Sequence, residues 1–205
     1  SAIQTIFISA TPLPTLEKSF SATDAVLGGA PITLTLKVNN PASAPLPNFA
    51  LTDSFPLLGG VAAIKVANPP NATVSCPGGT APTFAPAAGD IVVTATGGTV
   101  AANSSCTLTV QVEANTSNGK YLDFAANVIP AANLTNDLGL VSAAGASANV
   151  TVKSPLRVGK VFAHATLSSG QSDFFTLTLW NDGNAPLTVS FTDSPMDAEG
   201  NGVYG

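Results

Sequence analysis

Charge is scarce in this chain. Asp, Glu, Lys and Arg make up 9% of 205 residues, and only seven positions are Lys or Arg. With a net charge of −5, so few cations cannot lay down a phosphate-binding stripe, which excludes nucleic acid as a partner. Histidine occurs once, at His164, in a turn-like setting that suits a surface residue. No Gly-rich phosphate loop, GxSxG, HExxH or CxxC motif is present, and the acids are scattered, so no nucleophile or carboxylate pair can be nominated. The expectation is a non-enzymatic protein without cofactor or metal. No apolar run reaches the length of about eighteen residues that a membrane helix needs, so no membrane span is predicted. No secretory signal opens the chain, and a start at Ser1 suits a processed or trimmed protein.

Apolar residues amount to 45%, with 18 glycines and 16 prolines. Low hydrophobicity with high charge would mark disorder, and this composition is the opposite. It suits many short strands separated by frequent turns. Cys76 and Cys106 stand thirty residues apart with no His or Cys cluster beside them, which favours a disulfide made in an oxidising compartment over a free pair. Closing that loop stabilises the fold by about 3 kcal/mol in the chain-entropy picture. Sequons occur at Asn71, Asn103, Asn115, Asn133 and Asn149. Several arise by chance in a Ser- and Thr-rich chain; surface glycans are the one further partner the sequence leaves open.

The organising feature is a repeat. Residues 16–56 return as residues 158–196: Lys18-Ser-Phe20 as Lys160-Val-Phe162, Ala44-Pro-Leu46 as Ala185-Pro-Leu187, and Leu51-Thr-Asp53-Ser as Phe191-Thr-Asp193-Ser. Within the first repeat, period-two alternation and turn signals predict strands over 16–20, 32–38, 49–53, 61–66, 72–76, 91–96, 106–113, 121–129 and 146–153. No segment carries a sustained helical period. The reading is an all-β, immunoglobulin-like β-sandwich over 11–153. Residues 154–205 are read as an incomplete second repeat with strands at 158–162, 174–180 and 189–193. Residues 1–10 form an extension strand that is apolar on both faces, with Ile6 and Ile8 on one side and Ile3 and Phe7 on the other. Ile3–Lys18 has the same order of strand, proline link and Lys-bearing strand as Ser147–Lys160. The chain therefore reads as a tandem array cut inside its repeats.

The ordered run Leu16-Glu-Lys-Ser-Phe20, Leu34-Thr-Leu36, Asn39-Asn-Pro41, Ala44-Pro-Leu46 and Leu51-Thr-Asp-Ser54 resembles tandem repeat domains of unknown function in large bacterial and archaeal surface proteins. These are the domain-of-unknown-function-eleven kind and its relatives. Val66-Ala-Asn-Pro-Pro70, the two cysteines and Asn127-Val-Ile-Pro130 are similar too. The resemblance covers about 12–153 well and 156–195 partly. It implies an immunoglobulin-like sandwich in an extracellular structural or adhesive protein, and no catalytic residues.

Strand parity points Lys18 and Asp53 to the apolar face, and Lys160 and Asp193 likewise in the second repeat. Inward charges need partners. The plain expectation is a buried ion pair that helps set register. The sharper one is a self-formed isopeptide bond from Lys18 to Asn127 or Asp53, although Asn127 is out of phase with Leu122, Phe124 and Val128. The tail from Asp197 to Gly202 resembles half a calcium loop, and a polar turn is the expected reading.

In the second repeat Phe175, Leu177, Leu179, Val189 and Phe191 face inward against nothing in their own sequence, while Phe174 and Trp180 lie on the outward parity. One end thus has a vacancy and residues 1–10 offer a strand for it. The functional expectation is a secreted or cell-surface, pilus-like filament subunit that joins copies of itself head to tail by donor-strand complementation. The alternative is a fragment of the stalk of a large adhesin. A ligand- or carbohydrate-binding module is the third reading, disfavoured by the presence of only one Trp and two Tyr.

Overall fold

The computed structural model describes residues 12–115, 123–166, 168 and 170–193. In chain order its strands are β1 (Thr15–Phe20), β2 (Asp24–Val26), β3 (Ile32–Asn40), β4 (Leu46–Ser54), β5 (Leu57–Leu58), β6 (Val61–Ala62), β7 (Ile64–Val66), β8 (Thr73–Ser75), β9 (Val92–Val100) and β10 (Ser104–Ala114). Then come β11 (Asp123–Ile129), β12 (Leu134–Thr135), β13 (Ala146–Lys153), β14 (Leu156–Phe162) and β15 (Phe175–Asn181), with one 3₁₀ turn at Ala131–Asn133.

The strongest alternation in the sequence builds the centre. In β3 every second residue from Ile32 to Asn40 is buried, and in β10 every second residue from Cys106 to Ala114. The two pair antiparallel, flanked by β1 on one side and by β7 and β8 on the other, giving a five-stranded sheet. The rest of the wall is two three-stranded sheets, β11-β13-β2 and β12-β4-β9. One core gathers side chains from all three, among them Leu34, Leu108, Phe49, Leu51, Ile129 and Val150. The chain is all-β, a sandwich over its first three quarters followed by the separate hairpin β14–β15. Among the described residues every member of this core lies between Leu16 and Val152.

Four departures from the sequence reading have identifiable physical causes. The strand expected over 61–66 is two short pieces, since Ala63 interrupts the pairing and donates its N–H to the Pro56 carbonyl at 2.7 Å. The strand expected to stop at Thr96 runs on to Val100. Gly97 takes φ +78°, and Gly98 leaves room for the Phe49 ring, so β9 slips phase and keeps pairing with β4 through an irregular register. The short strand β2 was not expected; it pairs parallel to β13, a partnership made by residues more than a hundred positions away. Residues 189–193 are not a strand. In the first repeat the matching strand β4 is held by β9 and β12, whereas 189–193 have no pairing partner among the described residues.

Candidate functional site: a buried Lys–Asp–Asn cluster and an open copy of its scaffold

The central polar feature of the sandwich is built from three strands. Lys18 stands in β1 between Leu16 and Phe20, opposite Leu36 of β3. Asp53 stands in β4 between Leu51 and Phe55, opposite Val93 of β9. Asn127 stands in β11 beside Ile129. The side chains of Lys18 and Asp53 are 0% exposed, and Asn127 is 1% exposed. Lys18 Nζ donates to Asp53 Oδ2 in a short contact, and Asn127 Nδ2 donates to the same Oδ2 at 3.3 Å. The remaining oxygens, Asp53 Oδ1 and Asn127 Oδ1, are buried without a hydrogen-bond partner.

Burial sets the electrostatics. It lowers the Lys18 ammonium from its ordinary 10.5 to about 8, with Asp53 pulling the other way. It also raises the Asp53 carboxyl, against the opposing effects of Lys18 and then Asn127. Both groups are pushed toward their neutral forms, so the attraction between them does not offset the desolvation of the charged pair. Chemically, the cluster sets an amine, a carboxyl and a carboxamide around one oxygen with water excluded.

Asn127 corrects the sequence reading. Phase counted from Leu122, Phe124 and Val128 turns Asn127 away from the core, but Val128 is 53% exposed while Asn127 and Ile129 are buried. Register explains this: β11 pairs with β13, and Ile129 rather than Val128 faces the core. Leu122 lies outside the described residues, as does the side chain of Phe124. The signal that could have found Asn127 was its shared parity with Ile129.

The second repeat copies half of this scaffold. In β1–β3 the pairs are Leu16 with Val38, Lys18 with Leu36, and Phe20 with Leu34. In β14–β15 they are Val158 with Leu179, Lys160 with Leu177, and Phe162 with Phe175. Asn40 Nδ2 donates to the Ala44 carbonyl at 2.8 Å, and Asn181 Nδ2 donates to the Ala185 carbonyl at 2.7 Å. Lys160 Nζ reaches both oxygens of Asp193 at 2.7 Å, as Lys18 reaches Asp53. The difference is cover. Lys160 and Asp193 side chains remain 31% and 37% exposed, and the Lys160 ammonium lies over the Phe162 and Phe175 rings at 4.9 and 4.6 Å.

The apolar residues of this hairpin are largely bare. Val158, Phe162, Phe175, Leu179 and Phe191 are exposed, and Leu177 and Val189 are half-buried. Phe174 precedes β15 rather than lying in it and is 85% exposed. Trp180, on the other face, is not wholly free: the Arg157 guanidinium stacks 4.8 Å from its ring, and the ring covers Gly159. His164 is exposed at the mouth of the hairpin and is bonded to Asp173, whose carboxyl it holds below the usual range. The expected assembly strand with Ile3, Ile6, Phe7 and Ile8, and the half calcium loop at 197–202, lie outside the described residues.

The remaining sites are quickly placed. Cys76 and Cys106 form a disulfide, tying the chain after β8 to β10. Of the sequon asparagines, Asn71, Asn115 and Asn133 use their amide nitrogens in hydrogen bonds to Gln111, the Ala62 carbonyl and the Thr52 carbonyl, and Asn71, Asn103 and Asn149 are exposed. Among the described residues no group of three or more His, Cys, Asp or Glu is placed to hold a metal. No helix among them is long and apolar enough to cross a membrane.

No curated protein matches the chain. Several solved structures are similar in part. The major pilin subunit of Bacillus cereus, BcpA in its D312A form, is 10% identical, with 93% of this chain covering 62% of that one at a TM-score of 0.45. AvmM, which catalyses macrocyclization in alchivemycin A biosynthesis, is 12% identical, with 86% of this chain covering 92% of that one at a TM-score of 0.34. The yeast delta-COP-I mu-homology domain is 12% identical, with coverages of 68% and 54% and a TM-score of 0.27. A family profile matches residues 14–152, which hold the whole Lys18–Asp53–Asn127 cluster and the disulfide. By that match the chain belongs to the family of the domain of unknown function DUF7933.

Proposed function

We propose that this protein is a non-enzymatic structural component of an extracellular surface assembly, joined head to tail through its second repeat. One observation carries the reading. The β14–β15 hairpin repeats the β1–β3 pairing residue for residue, but the face that is covered in the first copy is bare in the second. A two-stranded ribbon is marginal by itself. Completing the burial of Val158, Phe162, Phe175 and Leu179 would contribute on the order of 3–6 kcal/mol, taking about half the full-burial value for each. Another stretch of polypeptide is the natural cover. Residues 1–10 of a neighbouring copy are our choice, a strand whose main chain would extend the sheet while one of its two apolar faces, Ile6 and Ile8 or Ile3 and Phe7, covers the bare residues. Such a contact does not close on itself and yields a filament. The disulfide and the low charge suit a secreted or cell-surface setting.

The second reading is a segment of a tandem-repeat adhesin stalk, and one observation favours it. Only Ser154 and Pro155 separate β13 from β14. That join is braced by bonds from Asp182 N to the Pro155 carbonyl and from Asn184 N to the Gly28 carbonyl. So tight a junction suits modules that follow one another in one chain.

The deciding experiment is assembly of the 205-residue chain, followed by light scattering and negative-stain microscopy. The expected result is ordered filaments, lost both on deletion of residues 1–10 and in the Phe175→Asp/Leu179→Asp variant. Filaments that survive the deletion would remove residues 1–10 as the donor. A well-folded monomer at high concentration would overturn head-to-tail assembly and leave the stalk reading.

A further inference from the structure

We propose that Lys18 and Asn127 become joined by an isopeptide bond, with Asp53 carrying the protons. The inference rests on the buried cluster and is independent of how the hairpin is covered. Three features separate this cluster from an ordinary ion pair. Its members come from three strands, β1, β4 and β11, and their amine and carboxamide nitrogens converge on one oxygen, Asp53 Oδ2. Water is excluded. An ion pair retained for its own sake has its remaining lone pairs satisfied, yet here Asp53 Oδ1 and Asn127 Oδ1 are both orphaned. Burial also favours the neutral amine, which is the nucleophile, and the neutral carboxylic acid, which is the proton donor.

The chemistry balances within the cluster. Asp53 takes a proton from the Lys18 ammonium, leaving a neutral amine. Nζ attacks Asn127 Cγ while the Asp53 acid protonates the carbonyl oxygen. Asp53 then relays a proton from Nζ to Nδ2, the Cγ–Nδ2 bond breaks, and ammonia leaves. The carbonyl re-forms and returns its proton to Asp53. The products are one secondary amide, one ammonia and a protonated Asp53. That acid can donate to the new amide carbonyl, so the dry pocket ends without charge and with its orphan oxygens used. No oxidant, metal or cofactor enters the balance.

The bond would tie β1 of the five-stranded sheet to β11 of a three-stranded one, closing most of the sandwich into a covalent loop. The second repeat has the amine and the carboxylate, Lys160 and Asp193, but holds them half-exposed, where water competes for both.

The test is the mass of the whole chain, reduced and denatured, with tryptic mapping. The expected mass is lower than the sequence mass by one ammonia. The digest should contain residues 1–37, uncut after Lys18, joined to residues 121–153. Lys18→Met, Asn127→Ala and Asp53→Ala should each restore the sequence mass, and Lys160→Met should keep the deficit. Because Asp53→Ala also removes a charge partner from the core, Lys18→Met, which fills the same space, is the variant that decides. A free peptide ending at Lys18, together with a free 121–153, overturns the proposal. A loss of water with residues 1–37 joined to 38–65 would place the bond on Asp53 and overturns it equally. An ammonia deficit without joined peptides would trace to succinimide at Asn118-Gly119 or Asn201-Gly202, and also counts against it.

Discussion

An Asn127→Ala protein gives Lys18 no carboxamide, so its amine is free to titrate, and its stability should then depend on pH in a particular way. The unfolded lysine titrates near 10.5 and the folded one near 8. Below pH 8 both states hold the proton, and the folded state bears the full cost of a buried ammonium. Between 8 and 10.5 the folded chain releases its proton first, the unfolded chain binds more, and stability rises with pH. Above 10.5 the gain is complete. A gap of about 2.5 units corresponds to about 3 kcal/mol at 1.36 kcal/mol per unit, and the side chain is fully buried, so screening removes little of it. Burial also raises the Asp53 carboxyl, against the opposing pull of Lys18, and Asp53 is present in both proteins compared below. The assay is urea unfolding from pH 7 to pH 10.5 for Asn127→Ala and for Asn127→Ala/Lys18→Met, in which every other titrating group is shared. The difference between the two should shift by about 3 kcal/mol in favour of the lysine form as pH rises. Parallel curves, or a lysine form that weakens with pH, would refute the argument that burial outweighs the Asp53 partner. In the unmodified chain the same rise should be missing wherever Lys18 is tied up as an amide.

Two further predictions concern the frame that holds the cluster. A Cβ at Gly98 would lie 2.3 Å from a ring carbon of the fully buried Phe49, so Gly98→Ala should destabilise the sandwich by about 1–3 kcal/mol, and Phe49→Leu should recover part of that in a double-mutant cycle; additive losses would show that the two residues do not compete for one space. Replacing Cys76 and Cys106 together by Ala should lower the unfolding free energy by about 3 kcal/mol, read from the urea midpoint. An unchanged midpoint under strong reductant would show that the loop they close is already ordered without the bond.

Much of the fold was legible in the amino-acid order because a strand's period of two is a local property. The alternation in residues 32–38 and 106–113 located the central strands, the repeat pointed both Lys18 and Asp53 inward, and two cysteines without a metal-binding neighbourhood implied their disulfide. Asn127 was harder. The 121–129 stretch has apolar residues on both parities, so its alternation does not say which face is dry, and only pairing with β13 turns Asn127 and Ile129 to the core. The same holds for β2, whose partner is distant in sequence, and for β9, whose continuation past Gly97 depends on where the Phe49 ring lies. Residues 189–193 carry the same pattern as β4 but not the same structure, because a strand exists only when another supplies its hydrogen bonds. Composition and period settled which residues could face a core. Tertiary packing decided which of them do, and it alone brought an amine, an acid and an amide from three distant strands to one oxygen, because burial and pairing are properties of the whole sandwich and not of any segment within it.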